Sequence, residues 1–423
     1  MSEWKEYKLG EIAEIIPGFA FKSKEFGKIG ELVIKIKDIN PPYIILSAME
    51  RVDTSSYPKD KLGKYKLAKG DFVVAMTGAT IGKVGKLKTD VLAYINQRVA
   101  KIKAKNCVCN DFIYYSISTE QFQAFIRNNI DSNTAQENIS AISIGKFPIL
   151  LPPLPEQKAI AAILSSLDDK IDLLHRQNAT LEKMAETLFR QWFVEEDNDD
   201  TISQLISIQN GYAFKSKDFR ENGIHGVIKI KNISDGIIDI EKTDFIENEI
   251  AKSAQERFKI RTGDILIAMT GAEIGKLGII PKTNKNLWLN QRVGLLKEKF
   301  RGSKYLAYLQ LKSEFGQDYI ENTATGSAQP NISGTGIENC GFPKLSEKQI
   351  KEYSYQIGEL FEKVIFNLGQ IKTLTELRNM LLPKLMSGEI RVESHRDETS
   401  VETNNDTATL SPVGAAFKTI KHG

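Results

Sequence analysis

Gly18-Phe-Ala-Phe-Lys-Ser-Lys-Glu-Phe26 returns later in the chain as Gly211-Tyr-Ala-Phe-Lys-Ser-Lys-Asp-Phe219, with seven of nine residues identical. Four further segments return in the same order. Val33-Ile-Lys-Ile-Lys-Asp-Ile39 recurs from Val227, and Ala75-Met-Thr-Gly-Ala-Thr-Ile-Gly-Lys-Val-Gly85 from Ala268. Asn96-Gln-Arg-Val99 recurs from Asn290, and Ala135-Gln-Glu-Asn-Ile-Ser140 from Ala328. The offset stays at 193 or 194 throughout. A period this long means two complete domains, not a stack of short units that shield one another. The copies span residues 1–155 and 205–345, each long enough to enclose its own core.

Each copy is followed by a helical pattern. Residues 156–194 contain no Gly and no Pro, and Leu164, Leu167, Ile171, Leu174, Asn178 and Leu181 follow one another in alternating steps of 3 and 4. That is a heptad seam, and an Asn on such a seam commonly sets register and partner. Residues 346–392 carry a second, rougher seam through Ile357, Phe361, Val364, Leu368 and Ile371, with Ser354, Thr375 and Arg378 also on it. Two matching helices, each trailing one copy of a domain, are expected to pair antiparallel. A helix of about 36 residues spans about 54 Å. The alternative is that each helix folds onto its own domain. The expected fold is α+β: two mixed α/β domains joined by two long antiparallel coiled-coil-like helices, with pseudo-two-fold symmetry. Residues 195–204 form an acidic linker, and 393–423 are expected to be a disordered tail because they are polar and aperiodic.

Composition excludes several classes. The chain has 423 residues, 41% hydrophobic and 26% charged, as in ordinary globular proteins. No apolar run approaches the ~20 residues of a membrane span, and the N-terminus lacks a signal-peptide core. Three cysteines cannot make a disulfide framework, so a reducing, cytoplasmic setting is expected. Net charge is only +3, but residues 1–155 carry 22 Lys and Arg against 16 Asp and Glu, and residues 205–345 carry 20 against 16. Two mildly basic bodies suit a polyanion without requiring one.

The motifs that suggest catalysis fail on inspection. Gly78-Ala-Thr-Ile-Gly82-Lys83 has three residues between its glycines where a phosphate loop needs four, and no Ser or Thr follows the lysine. Lys83 and Lys276 are expected at exposed turn tips instead. Asn40-Pro-Pro-Tyr43 matches the tetrapeptide with which amino-methyltransferases hold a flipped base. Its counterpart reads Ser234-Asp-Gly-Ile, and no glycine-rich turn stands upstream for S-adenosylmethionine, so a plain turn is the better reading. Cys107-Val-Cys109 has no second ligand pair and the four histidines are scattered, so no metal site is expected.

The side chains that are duplicated are cationic and amide-bearing. They are Lys22, Lys24, Lys35, Lys37, Lys83, Gln97 and Arg98, with Lys215, Lys217, Lys229, Lys231, Lys276, Gln291 and Arg292 in the second copy. Alternation in Val33-Ile-Lys-Ile-Lys37 is expected to put Lys35 and Lys37 on one strand face, suited to phosphate contacts or merely solvated. Arg and Gln can read guanine and adenine edges, or can bond to backbone.

Taken together, these residues resemble the specificity subunit of a type I restriction-modification enzyme. The resemblance covers residues 3 to about 392. It is carried most specifically by Leu151-Pro-Pro-Leu-Pro-Glu-Gln-Lys-Ala-Ile-Ala-Ala-Ile-Leu-Ser-Ser-Leu-Asp-Asp-Lys-Ile171, Leu188-Phe-Arg-Gln-Trp-Phe193 and Leu377-Arg-Asn-Met-Leu-Leu-Pro-Lys-Leu-Met-Ser-Gly-Glu-Ile390. The resemblance implies two target-recognition domains, each reading half of an asymmetric two-part DNA sequence, with the helical pair setting the unread spacer. It implies no catalysis by this chain. Modification subunits using S-adenosylmethionine and ATP- and Mg-dependent restriction subunits, two of each, would supply it. The junction Phe342-Pro-Lys-Leu-Ser-Glu-Lys348 departs from the Pro-Pro-Leu-Pro-Glu-Gln pattern. Base-reading side chains are expected in the stretches that differ between copies, 41–60 against 235–254.

Overall fold

The computed structural model describes residues 4–47, 49–55, 57–130, 137–193, 195–234, 236–326, 330–392 and 417–419. The chain divides into two units, residues 1–169 with 376–423 and residues 170–375. The first domain is thus completed by the far end of the chain.

Unit 1 contains two sheets. The larger has six strands in the order Ala13–Pro17, Val99–Ala104, Phe72–Ala75, Val84–Lys86, Tyr43–Ile44, Ile39–Asn40. Phe72-Val-Val-Ala75 is buried on both faces, which is why it reads as a continuous apolar run and lies inside the sheet. The smaller sheet orders Phe26–Gly27, Arg51–Val52, Glu31–Ile34, Ala93–Ile95 and Lys66–Leu67, with Glu31–Ile34 parallel to Ala93–Ile95. Residues 110–128 form two short helices, Asn110–Ile117 and Glu120–Asn128. Thr119 separates them by capping the second, its hydroxyl accepting from the Phe122 N–H.

Unit 2 repeats this plan strand for strand. Its six-stranded sheet runs Ile206–Asn210, Val293–Glu298, Ile265–Ala268, Leu277–Ile279, Gly236–Ile238, Ile233–Ser234. Its smaller sheet orders Phe219–Arg220, Asp244–Ile246, His225–Ile228, Asn286–Leu289 and Lys259–Ile260, again with the third and fourth strands parallel.

Two helices of 40 residues, Leu154–Phe193 and Glu347–Met386, follow the two domains. They are antiparallel neighbours: Asn178 meets Asn367 within unit 2, and Asp168 meets Arg378 within unit 1. The seams also serve the domains. Ile160 and Leu164 enter the core of unit 1 with Leu382, Leu385 and Met386. Ile357 and Phe361 enter the core of unit 2 with Phe189 and Phe193, and Phe361 stacks on Tyr305 with centroids 4.8 Å apart. Val364 is buried, while Leu167, Ile171, Leu181, Leu368 and Ile371 are half-buried. Pairing and docking thus share the same stripes, where the sequence set them as alternatives.

Three boundaries differ from expectation. The C-terminal helix stops at Met386, not Val392, because Gly388 takes a left-handed conformation (φ +77°) that closes it, and Ile390–Val392 form a strand. Asp200–Thr201 pair with Gly341–Phe342, and the following turn buries Ile202, so the linker is shorter than 195–204. The expected disordered tail lies outside the described residues except Phe417–Thr419, which pair with Ile390–Val392.

Candidate nucleic-acid interface

The duplicated segments are far apart in sequence and meet at one edge of each domain. In unit 1 the parallel strands Glu31–Ile34 and Ala93–Ile95 end together, and the Asn96 N–H donates to the Ile34 carbonyl at 3.0 Å. Lys35 and Asn96 therefore leave the sheet side by side. Phe19 N–H donates to the Ile95 carbonyl at 2.9 Å, bringing the Gly18 segment to the same place. Gly18 is required there: a Cβ would lie 2.1 Å from the Asn96 carbonyl oxygen. The Met76 N–H bonds to the Arg98 carbonyl at 2.9 Å, and the Met76 carbonyl accepts from Ile139 at 3.0 Å. All five repeated segments are thus stitched to one another through their backbones.

Unit 2 repeats the stitching. Tyr212 N–H bonds to Leu289 O at 2.8 Å, Met269 N–H to Arg292 O at 3.1 Å, and Ile332 N–H to Met269 O at 3.0 Å. A Cβ on Gly211 would lie 2.2 Å from the Asn290 carbonyl oxygen. The parts of the last repeat at 135–136 and 328–329 lie outside the described residues.

This backbone lattice places the expected side chains in two classes. Gln97 and Arg98 form a two-residue turn between Ala93–Ile95 and Val99–Ala104, pinned where Val99 N–H reaches the Asn96 carbonyl at 2.8 Å. Both side chains are exposed, as are Gln291 and Arg292 in the equivalent turn. Lys22, Lys24, Lys83, Lys215, Lys217 and Lys276 are also exposed. Lys22 has Glu25 at 3.9 Å, and Lys276 is ion-paired with Glu273. Lys83 and Lys276 follow Gly82 and Gly275, whose left-handed φ values of +80° and +83° turn the chain. No phosphate-type loop precedes a helix there, since Val84–Lys86 is a strand.

Lys35 and Lys37 do not alternate on a strand. The strand ends at Ile34, because the Asp38 carboxylate accepts from the Lys35 N–H at 2.8 Å and folds Ile36–Asp38 into a 3-10 turn. Asn232 does the same to Lys229 at 2.9 Å. Both lysines then converge on Glu50, Lys35 at 2.5 Å and Lys37 at 3.0 Å. In unit 2 Lys229 and Lys231 converge on Asp244 at 2.8 and 3.0 Å. The bonds from Lys35 and Lys37 hold the Glu50 carboxyl below its usual range; for Asp244 burial opposes the two lysines and the lysines prevail. Lys35 also lies 3.7 Å from the centroid of Phe26, and Lys229 3.2 Å from that of Phe219. Lys35 and Lys229 are half-buried and Lys37 and Lys231 exposed, and all four are engaged within their domains. Glu50 and Asp244 were missed in the sequence, though each stands 15 residues after its first lysine.

Asn40-Pro-Pro-Tyr43 is a tight turn between Ile39–Asn40 and Tyr43–Ile44. Its Pro42 carbonyl accepts from the Tyr114 hydroxyl and the Lys86 N–H, both at 3.0 Å, and the Tyr43 hydroxyl reaches the Asp168 carbonyl at 3.4 Å. These groups are spent on packing. Among the described residues no three His, Cys, Asp or Glu side chains are grouped to hold a metal, and no helix is long and apolar enough to cross a membrane.

A family model described as the type I restriction modification DNA specificity domain matches residues 1–183 and 196–363. The chain is 25% identical over 418 residues to the type I restriction enzyme MjaIX specificity subunit of Methanocaldococcus jannaschii, covering 92% of this chain and 94% of that one. It is 25% identical over 437 residues to the type I restriction enzyme EcoBI specificity subunit of Escherichia coli, covering 92% and 87%. A crystal structure of a type I restriction-modification system S subunit from M. genitalium has the same fold, with a TM-score of 0.60, 16% identity and 90% and 96% of the two chains covered.

Proposed function

Because the chain belongs to the type I restriction-modification DNA specificity family, we propose that it is the non-catalytic, sequence-specific DNA-binding subunit of such a complex. Each domain reads one half of an asymmetric bipartite sequence, and the helices set the unread spacer. The observation that carries this reading is the duplicated edge, where an exposed Gln-Arg turn stands between lysine-bearing turns in both copies. Exposed lysines supply sequence-independent phosphate attraction, and the Gln-Arg pair has the donors and acceptor for base edges. Methylation then falls to two modification subunits carrying S-adenosylmethionine, docked on the helices. Cleavage falls to two restriction subunits using ATP and Mg. The packing around Tyr43 favours this division, since its ring and the Pro42 carbonyl have neighbours already.

The experiment is a genome-wide map of N6-methyladenine in cells that supply the modification subunit, with this chain present and deleted. A two-part methylated motif should vanish on deletion. An unchanged map, together with no salt-dependent DNA binding by the reconstituted complex, would refute the proposal. Arg98→Ala should relax sequence preference in one half-site only and Arg292→Ala in the other, at a cost of about 1–3 kcal/mol each.

A further inference from the structure

The two long helices are themselves a duplication. They begin 193 residues apart, have equal length, and place equivalent residues alike. Leu164 and Ile357 are each buried in the core of their own domain, and Phe189 and Leu382 fill equivalent places near the helix ends. A seam so duplicated is close to self-complementary, so a second copy of either helix could in principle take the partner's place.

The equivalence breaks at two places where one helix meets the other, and both bury polar groups. In unit 2 Asn178 (6% exposed) and Asn367 (0%) meet between the helices, the Asn367 amide donating to Asn178 Oδ1 at 2.8 Å. The equivalent positions hold Ile371 and Leu174. In unit 1 Asp168 (5% exposed) accepts from the Tyr115 hydroxyl at 2.9 Å and lies 3.8 Å from Arg378 Nε. There the equivalent positions hold Phe361 and Ala185.

We infer that the Asn178–Asn367 and Asp168–Arg378 pairs make each helix accept the other and exclude a second copy of itself. The repeat spacing sets what self-pairing would do. In a central-helix homodimer Asn178 would face Leu174 of the other copy, and Asp168 would face Ala185. In a C-terminal-helix homodimer Asn367 would face Ile371, and Arg378 would face Phe361. Either arrangement takes from a buried amide its partner amide and from a buried charge its opposite charge, although Asp168 keeps its bond from Tyr115. Two-fold symmetry does so twice. A single buried polar residue on a helical seam is known to decide pairing in this way. The inference is independent of what the two domains bind.

The test is made in the full chain. His175 is exposed and lies beside the two-fold axis of a central-helix homodimer, whereas Gln177 accepts from the Asn367 amide at 3.0 Å. His175→Cys therefore reports that pairing as a disulfide-linked dimer on mild oxidation. With the natural seam, cross-linking should stay at the level of a control lacking the new cysteine. Asn178→Ile with Asn367→Leu copies into this layer the residues of its counterpart and should raise the cross-linked fraction on the order of ten-fold. Asp168→Phe with Arg378→Ala tests the other pair independently, should either variant lose helical circular dichroism. Cross-linking by the natural seam as strong as in the relieved seams, or no rise in a folded variant, overturns the inference.

Discussion

Glu50 holds Lys35 and Lys37 at once, and Asp244 does the same for Lys229 and Lys231, so one carboxylate per domain restrains two cations. Glu50→Gln should release that restraint, raise sequence-independent DNA affinity and steepen the salt dependence by up to about one counterion per lysine. Titrating the complex with unrelated DNA at several salt concentrations measures it. The same pair gives a pH dependence. The folded Glu50 carboxyl lies below its ordinary value, so its stabilisation is complete above the unfolded value and is lost as the pH falls through the lowered folded one. Below about pH 4.3 the urea midpoint of the natural chain should fall faster than that of Glu50→Gln. Gly18 makes a different demand. With no room for a Cβ against Asn96, Gly18→Ala should cost about 2–4 kcal/mol and displace the Gln97-Arg98 turn. Thermal melting, and loss of one half-site with the other kept, would show both effects.

Elements explain which readings survive. The duplicated strands and the two 40-residue helices were legible because apolar periodicity is a local signal. The strand assigned to Val33–Lys37 was wrong at its end, since alternation in Val-Ile-Lys-Ile-Lys competes with Asp38, which claims the Lys35 N–H. An Asp or Asn three residues after the last strand residue's successor was the available clue, present in both copies. The counter-ions at Glu50 and Asp244 were hidden because they lie in stretches that otherwise diverge. The seams were legible as stripes, but periodicity cannot say whether a stripe faces a helix or a domain core. Arg378 on the second seam looked like a defect and has Asp168 as its partner, whose carboxyl burial pushes upward. Asp168→Ala would leave the guanidinium without its anion and should cost about 3 kcal/mol, read from urea unfolding.

At the scale of the molecule, the first domain is built from both ends of the chain. Glu156 accepts a bidentate pair from Arg391 at 2.6 and 2.8 Å and a further bond from Trp4 Nε1 at 3.2 Å. Leu382, Leu385, Met386 and Val392 belong to the same core as Leu9 and Phe112. Removing residues from 376 onward should therefore loosen residues 1–169 as well as shortening the helix, and hydrogen exchange in Asn110–Ile117 would report it. Synthesis on the ribosome gives this closure a direction in time. At about 5–20 residues per second, residues 1–169 wait many seconds for residues 376–392. During that interval Ile160 and Leu164 lack part of their cover, and a chain released early never gains it. Completion of the first domain is thus a readout that translation has passed residues 382–392.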